Sequence, residues 1–211
     1  GPVTPPRTPQ ADKPCRILSL LPGAKLARGT TGRTVMLEQF YAPGTAALPS
    51  GHLETSPVPL GALKHFAKEL AESGPPLSPG EVGFVETETT GLMGGTGTLA
   101  FLVGVGWWEA TGHGWHFRLE QYLIDDFCHE QDMMERLAER LGQFSVLCTY
   151  NGKSFDIPLL RARAILSRIP PRVFRHHQVD LLHFSRRLWG QVLPSVSLKN
   201  VETEILGIDR G

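Results

Sequence analysis

The chain has no surplus of charge of either sign: 21 Lys+Arg stand against 21 Asp+Glu in 211 residues. No whole-chain field therefore draws it to nucleic acid or to a membrane surface. Cysteine is scarce. The three present, Cys15, Cys128 and Cys148, are scattered, odd in number and form no C-x-x-C pair. That excludes a disulfide framework and a zinc pattern, and it suits a reducing compartment. No apolar run approaches the roughly 20 residues of a membrane helix, and nothing resembles a signal peptide. The expectation is a soluble cytoplasmic chain with no membrane partner and length enough for one sizeable core. It opens on Gly1-Pro2 and closes on Gly207-Ile208-Asp209-Arg210-Gly211, directly after a helical pattern. A piece of a longer protein is expected.

Proline is unevenly spread. Thirteen of the 17 prolines precede residue 81, which marks residues 1–80 as an irregular, partly disordered accessory segment, with 1–13 disordered. Within it Thr34–Tyr41 reads as a strand, and Leu60, Leu63, Phe66, Ala67 and Leu70 fall at helical spacing. From residue 81 onward the pattern is regular and reads as one domain to residue 211. Val82–Glu86, Thr98–Trp108 and Trp115–Ile124 read as three strands with short connections. A helical face follows through Met134, Leu137, Ala138 and Leu141, then a strand at Val146–Tyr150 and a helix through Ile157, Leu160 and Ala164. Gln178–Leu182 is the next strand, a short helix runs to Trp189, and Leu198, Val201 and Ile205 form a last stripe ended by Gly207. Short connections imply an antiparallel meander, and helix-separated strands imply parallel pairing. The fold class expected is α/β, a mixed sheet of three antiparallel and then parallel strands with helices on both faces.

Two stretches carry chemistry. In "FVETETTGL" at 84–92, Glu86 and Glu88 are two apart in a strand and so share one face. Two carboxylates at close quarters repel unless a cation lies between them, and oxygen donors suit Mg²⁺ or Mn²⁺. A solvated strand end is the ordinary alternative. In "TYNGKSFDIPLL" at 149–160, a strand ends, Asn151-Gly152 turns and Asp156 begins a helix. Helix capping is the common use of such an Asp, and a helix N-terminus also favours the ionised form a metal ligand must have.

Together these stretches resemble the first motif, D-x-E-T-T-G-L, and the second, N-x-x-x-F-D-x-P, of the DEDD 3′–5′ exonucleases of the ribonuclease-H-like superfamily. "GGTGTLAFLVGVG", "VDLLHFSRRLWG" and "SLKNVE" are most similar to the YprB-like branch. The resemblance spans roughly residues 82–208. It implies that Glu86, Glu88 and Asp156 hold two divalent cations, Mg²⁺ or Mn²⁺, astride a scissile phosphate. It also implies that Thr89, Thr90, Gly91 and Leu92 meet the terminal nucleotide, and that Asn151 and Phe155 shape the path of a single-stranded DNA or RNA 3′ end. Glu86 departs from the motif's Asp, its extra methylene moving the carboxylate by roughly 1.5 Å, so impaired activity is expected. The family's third motif is expected beyond Gly211; Asp180, with His176 four residues before it, is a minor candidate and more commonly a supporting residue. The other readings are an inactive nucleic-acid-binding domain and a structural module.

Between residues 157 and 187 lie seven arginines (161, 163, 168, 172, 175, 186 and 187) and one acid, Asp180. Either they form a solvated face or they steer phosphates toward the acidic site; several of the first five are expected to border it. "GLMGGTGT" at 91–98 lacks the Lys-Ser/Thr of a P-loop and reads as a turn.

Overall fold

The computed structural model describes residues 15–42, 77–91 and 97–208. The periodicity assigned to Leu60–Leu70, the disorder assigned to residues 1–13, and Leu92 lie outside the described residues. Seven strands make one sheet: β1 (Lys25–Arg28), β2 (Arg33–Tyr41), β3 (Val82–Thr89), β4 (Ala100–Thr111), β5 (Gly114–Leu123), β6 (Val146–Thr149) and β7 (His177–Asp180). Their spatial order is β1-β2-β5-β4-β3-β6-β7. The pairs from β1 to β3 are antiparallel, and β3–β6 and β6–β7 are parallel. Among the described residues the α-helices are α1 (Glu130–Leu141), α2 (Asp156–Leu166), α3 (Leu181–Trp189) and α4 (Leu198–Leu206).

This is the mixed α/β sheet expected of the meander followed by helix-separated strands. The meander grows longer than the sequence suggested, because β2 pairs along β5 from Val35↔Leu123 to Tyr41↔Phe117. The strand read at Thr34–Tyr41 is thus part of the main sheet, and β1 adds an outer strand to it.

Two cores sit on opposite faces. On one, Met133, Met134, Leu137 and Leu141 of α1 and Ile157 and Leu160 of α2 pack on Val85, Val103, Val105 and Tyr122. Each fully buried side chain of this size contributes about 1.5–3 kcal/mol of transfer free energy. On the other, Phe184 of α3 packs against Val82, Val146, Cys148 and Val179. A polar tie holds α1 to the N-terminal strands: Thr34 Oγ1 donates to Asp132 Oδ2 at 2.6 Å, a carboxylate that Arg136 also pairs with from one turn along α1. α3 starts where Asp180 accepts from Leu182 N, and α4 starts where Ser197 accepts from Asn200 N. Gly207, at φ +66°, supplies the left-handed cap that ends α4.

Candidate active site

Glu86 and Glu88 project from β3 on one face of the sheet, and both are exposed. Across the ladder Glu86 stands beside Gly104 and Glu88 beside Leu102, just before a register shift at Glu88/Thr89 that ends the regular pairing. The cleft in front of them holds about 450 Å³. Its floor is β3, β4 and β5, through Glu86, Glu88, Gly104, Gly106, Leu119 and Gln121; Leu181 of α3 and Leu198 of α4 help to wall it. The hydroxyl of Tyr150 donates to Val196 O at 2.5 Å, which ties the approach to α4 to the end of β6.

Asp156 lines the same cleft from the first turn of α2. Its Oδ1 accepts from Thr87 N at 3.0 Å and from Thr87 Oγ1 at 2.5 Å. Thr87 lies between the two glutamates, and the alternation of β3 sends its side chain to the other face. One carboxylate oxygen of Asp156 is therefore fixed by β3, and the second takes no hydrogen bond among the described residues.

The turn carrying Asp156 is clamped from below. Asp180, 4% exposed, accepts from Asn151 N at 2.7 Å, Lys153 N at 3.1 Å and Leu182 N at 3.0 Å. Asn151 adopts φ +65°, a region Asn visits more readily than most residues. Gly152 lies so close to Thr149 that a Cβ there would stand 2.5 Å from the threonine side chain. Thr149 is buried, lines the cleft, and its hydroxyl has no hydrogen-bond partner among the described residues. Such an orphan is the kind of group a water or ligand satisfies.

The remaining expected site residues are distributed as follows. Thr90 closes the mouth of the following loop, its N–H donating to Leu99 O and its Oγ1 accepting from Leu99 N. Thr89 Oγ1 donates to Gly91 O at 3.2 Å, and a Cβ at Gly91 would meet nothing within 4 Å among the described residues. Phe155 is 61% exposed at the N-cap of α2, the posture of a side chain available to a ligand.

The arginine expectation is corrected, and Asp180 takes the supporting role expected of it, with His176 set aside. Arg161 donates twice to Phe174 O, and Arg163 forks onto Glu130 of α1; both are spent on tying helices together. No arginine is among the described residues that line the cleft, so arginines 161, 163, 168, 172 and 175 do not border the acids there. Asp180 is a backbone clamp, because its oxygens are consumed by three amides. His176 is no partner for it: its Nε2 bonds Leu141 O at 2.9 Å, and burial pushes its pKa below the ordinary value, keeping the ring neutral.

Carboxylate oxygens are hard donors, so Glu86, Glu88 and Asp156 suit divalent Mg²⁺ or Mn²⁺ in kind, and they face one cleft. The set is open as it stands: among the described residues no three His, Cys, Asp or Glu side chains gather closely enough to enclose an ion. Thr87 and Thr149 are the polar groups that sequence reasoning missed. The alternation in E-T-E signals that Thr87 faces away from the glutamates, and only the folded chain brings Asp156 to it.

A family model described as RNase_H superfamily matches residues 83–211. Over 128 residues the chain is 38% identical to protein YprB of Bacillus subtilis (strain 168), covering 60% of this chain and 30% of that one. It is 29% identical over 106 residues to a DNA polymerase of Methanocaldococcus jannaschii, covering 39% of this chain and 6% of the polymerase. The chain thus spans well under half the length of either relative. Among solved structures, exonuclease I superposes with a TM-score of 0.49 at 15% identity, covering 61% of this chain and 36% of that one.

Proposed function

We propose a function from one premise: the chain belongs to the RNase H superfamily, whose model matches residues 83–211. Its cleft is the active site of a metal-dependent 3′–5′ exonuclease that hydrolyses phosphodiester bonds at single-stranded DNA or RNA ends. The observation that carries this is the meeting of Glu86, Glu88 and Asp156 at one cleft, although Asp156 is remote from the glutamates in the chain. Glu86 and Glu88 would hold a divalent ion, with Asp156 contributing the oxygen that Thr87 leaves unclaimed. Such an ion supplies an acidified water and charge neutralisation at the leaving 3′ oxygen.

The chain's own residues do the rest. Thr87 and the Asp180 clamp fix Asp156 against β3, so its carboxylate is aimed before substrate arrives. Thr89, Thr90, Gly91 and Leu92 receive the terminal nucleotide, and Asn151 and Phe155 shape the path of the strand. Glu86, longer than aspartate, overreaches, and activity is low in consequence.

The open carboxylate set favours a second reading, a nucleic-acid-binding domain that no longer cleaves. Mn²⁺ titration by calorimetry of the parent protein, Glu86→Asp and Glu88→Ala separates the two, with an end-labelled single strand as substrate. The nuclease reading expects tighter binding in Glu86→Asp, about tenfold weaker binding in Glu88→Ala, and trimming from the 3′ end that chelator abolishes. Strand binding without trimming, even in Glu86→Asp, selects the second reading. Equal, weak ion affinity in all three proteins reduces the glutamates to a solvated strand end.

A further inference from the structure

Glycine inside a strand costs roughly 0.5–1 kcal/mol relative to alanine, so its presence in β4 at both 104 and 106 calls for a cause. At Gly106 the cause is packing: an added Cβ would stand 2.4 Å from the ring of Phe117, which occupies that place. Gly104 is different. Among the described residues a Cβ there would meet nothing nearer than Leu119 Cδ1 at 3.9 Å and Glu86 O at 4.0 Å, ordinary contact distances, and its φ is not left-handed. The fold does not require glycine at 104. A glycine in a strand often marks a bulge, a tight bend or a place where a ligand or another backbone comes close; the pairing of β4 is regular through 104, with no register shift there, which leaves close approach.

The surroundings identify the ligand. Gly104 pairs with Glu86 on one side and Gln121 on the other, so the gap lies between a carboxylate and an amide, roughly 10 Å across two strand spacings. Leu119 and the Phe117 ring bound it along the strand, and Phe84 meets Phe117 edge-on at 5.9 Å. The Gln121 side chain makes no hydrogen bond among the described residues. A flat floor, an aromatic wall and an unused amide that both donates and accepts match a planar heterocycle with polar edges. Among the described residues no basic side chain lines the cleft, so they offer a phosphate alone no cation.

We infer, resting on the nuclease reading above, that the gap over Gly104 is a nucleobase seat, with Gln121 at the base edge and Phe117 at its side. It takes the base of the nucleotide whose phosphate stands at Glu86 and Glu88. The seat makes the base, rather than backbone charge, the main source of affinity.

The test uses four probes with Mn²⁺ present: adenosine, cytidine and uridine 5′-monophosphates, and ribose 5-phosphate, which has the sugar and phosphate but no base. Binding is followed by ¹H–¹⁵N NMR at the amides of Gly104 and Leu119. A nucleotide is expected to bind about tenfold tighter than ribose 5-phosphate, the scale of stacking one base. Gly104→Val, which suits a strand and projects methyls into the gap, should erase that increment while leaving ribose 5-phosphate binding and thermal stability intact or raised. Gln121→Leu should level the ranking among the three nucleotides. Equal binding of nucleotides and ribose 5-phosphate, or an increment that survives in Gly104→Val, overturns the seat and leaves the phosphate-and-ion reading standing. Failure of all four probes to bind, with or without Mn²⁺, overturns the nuclease reading and the seat with it.

Discussion

Thr87 shows how a residue that contributes no carboxylate of its own governs one that does. Its amide and hydroxyl both reach Asp156 Oδ1, so β3 sets the orientation of a carboxylate contributed by α2. Thr87→Val keeps the shape and the amide bond but removes the hydroxyl; a net hydrogen bond to a charged group contributes about 1.5–3 kcal/mol. The expected result is a several-fold loss of Mn²⁺ affinity together with a lowered denaturation midpoint, both of which Thr87→Ser restores. A loss shared equally by the Ser variant would remove the hydroxyl from the account. At this scale the sequence was informative where a period decides. Glu86 and Glu88 were placed on one face by the two-residue repeat of a strand, and Asp156 by its position at a helix start. It was silent on Thr87 and Gly104, because their meaning lies in what the fold sets against them: an α2 side chain in one case, open space in the other.

The turn between β6 and α2 is the element on which the site depends. Asp180 belongs to β7, yet its two oxygens accept amides from that turn and from α3 at once, so one buried carboxylate locks three elements together. In Asp180→Asn one oxygen becomes an NH₂ facing an N–H donor, and a destabilisation of about 2–3 kcal/mol is expected from the unsatisfied pair. Mn²⁺ affinity of the folded variant should change less than threefold, since Asp180 is no ligand; a tenfold loss in a folded variant would reinstate it as one. Gly152→Ala, driven into Thr149 at 2.5 Å, should also destabilise, by about 1–3 kcal/mol, and a neutral result in urea denaturation would mean the turn relaxes freely. The elements themselves were legible because helix and strand periods differ cleanly from residue 82 onward. The arginines were misjudged for a physical reason. Their spacing along α2 shows that they lie on a helix, but not that Glu130 and the Phe174 carbonyl wait where Arg163 and Arg161 point.

Charge and burial act on the molecule as a whole. With no basic side chain among the described residues that line the cleft, single-strand binding should show a log–log salt slope near −0.7, the value for about one phosphate neutralised. A slope of several times that would mean a basic path elsewhere on the surface. The sheet order was legible as far as the meander and crossovers dictate it; the joining of β2 to β5 was not, because residues 42–113 separate the two strands in sequence. The buried face sets a clear pH response. Burial, aided by the charge of Asp180, pushes the Cys148 thiol from 9.0 up to about 12. Burial and the hydrogen bond to Glu120 push the Tyr122 hydroxyl upward as well. Both groups stay protonated in the fold while the unfolded chain ionises near 9.0 and 10.0, so the unfolded state sheds protons first. Stability is therefore whole below pH 9 and falls as pH rises, by about 1.4 kcal/mol per unit for each group fully ionised in the unfolded state. For Cys148 the loss accumulates to roughly 4 kcal/mol by pH 12. Urea unfolding of the parent and of Cys148→Ala between pH 8 and 11 isolates this contribution, because every other titration is common to both. The variant starts less stable at pH 8, as a truncated core side chain must be, but its stability should decline less steeply above pH 9, so that the two curves converge. Parallel curves across the whole range would show that Cys148 meets water in the folded chain, and that the α3 face of the sheet is looser than its packing implies.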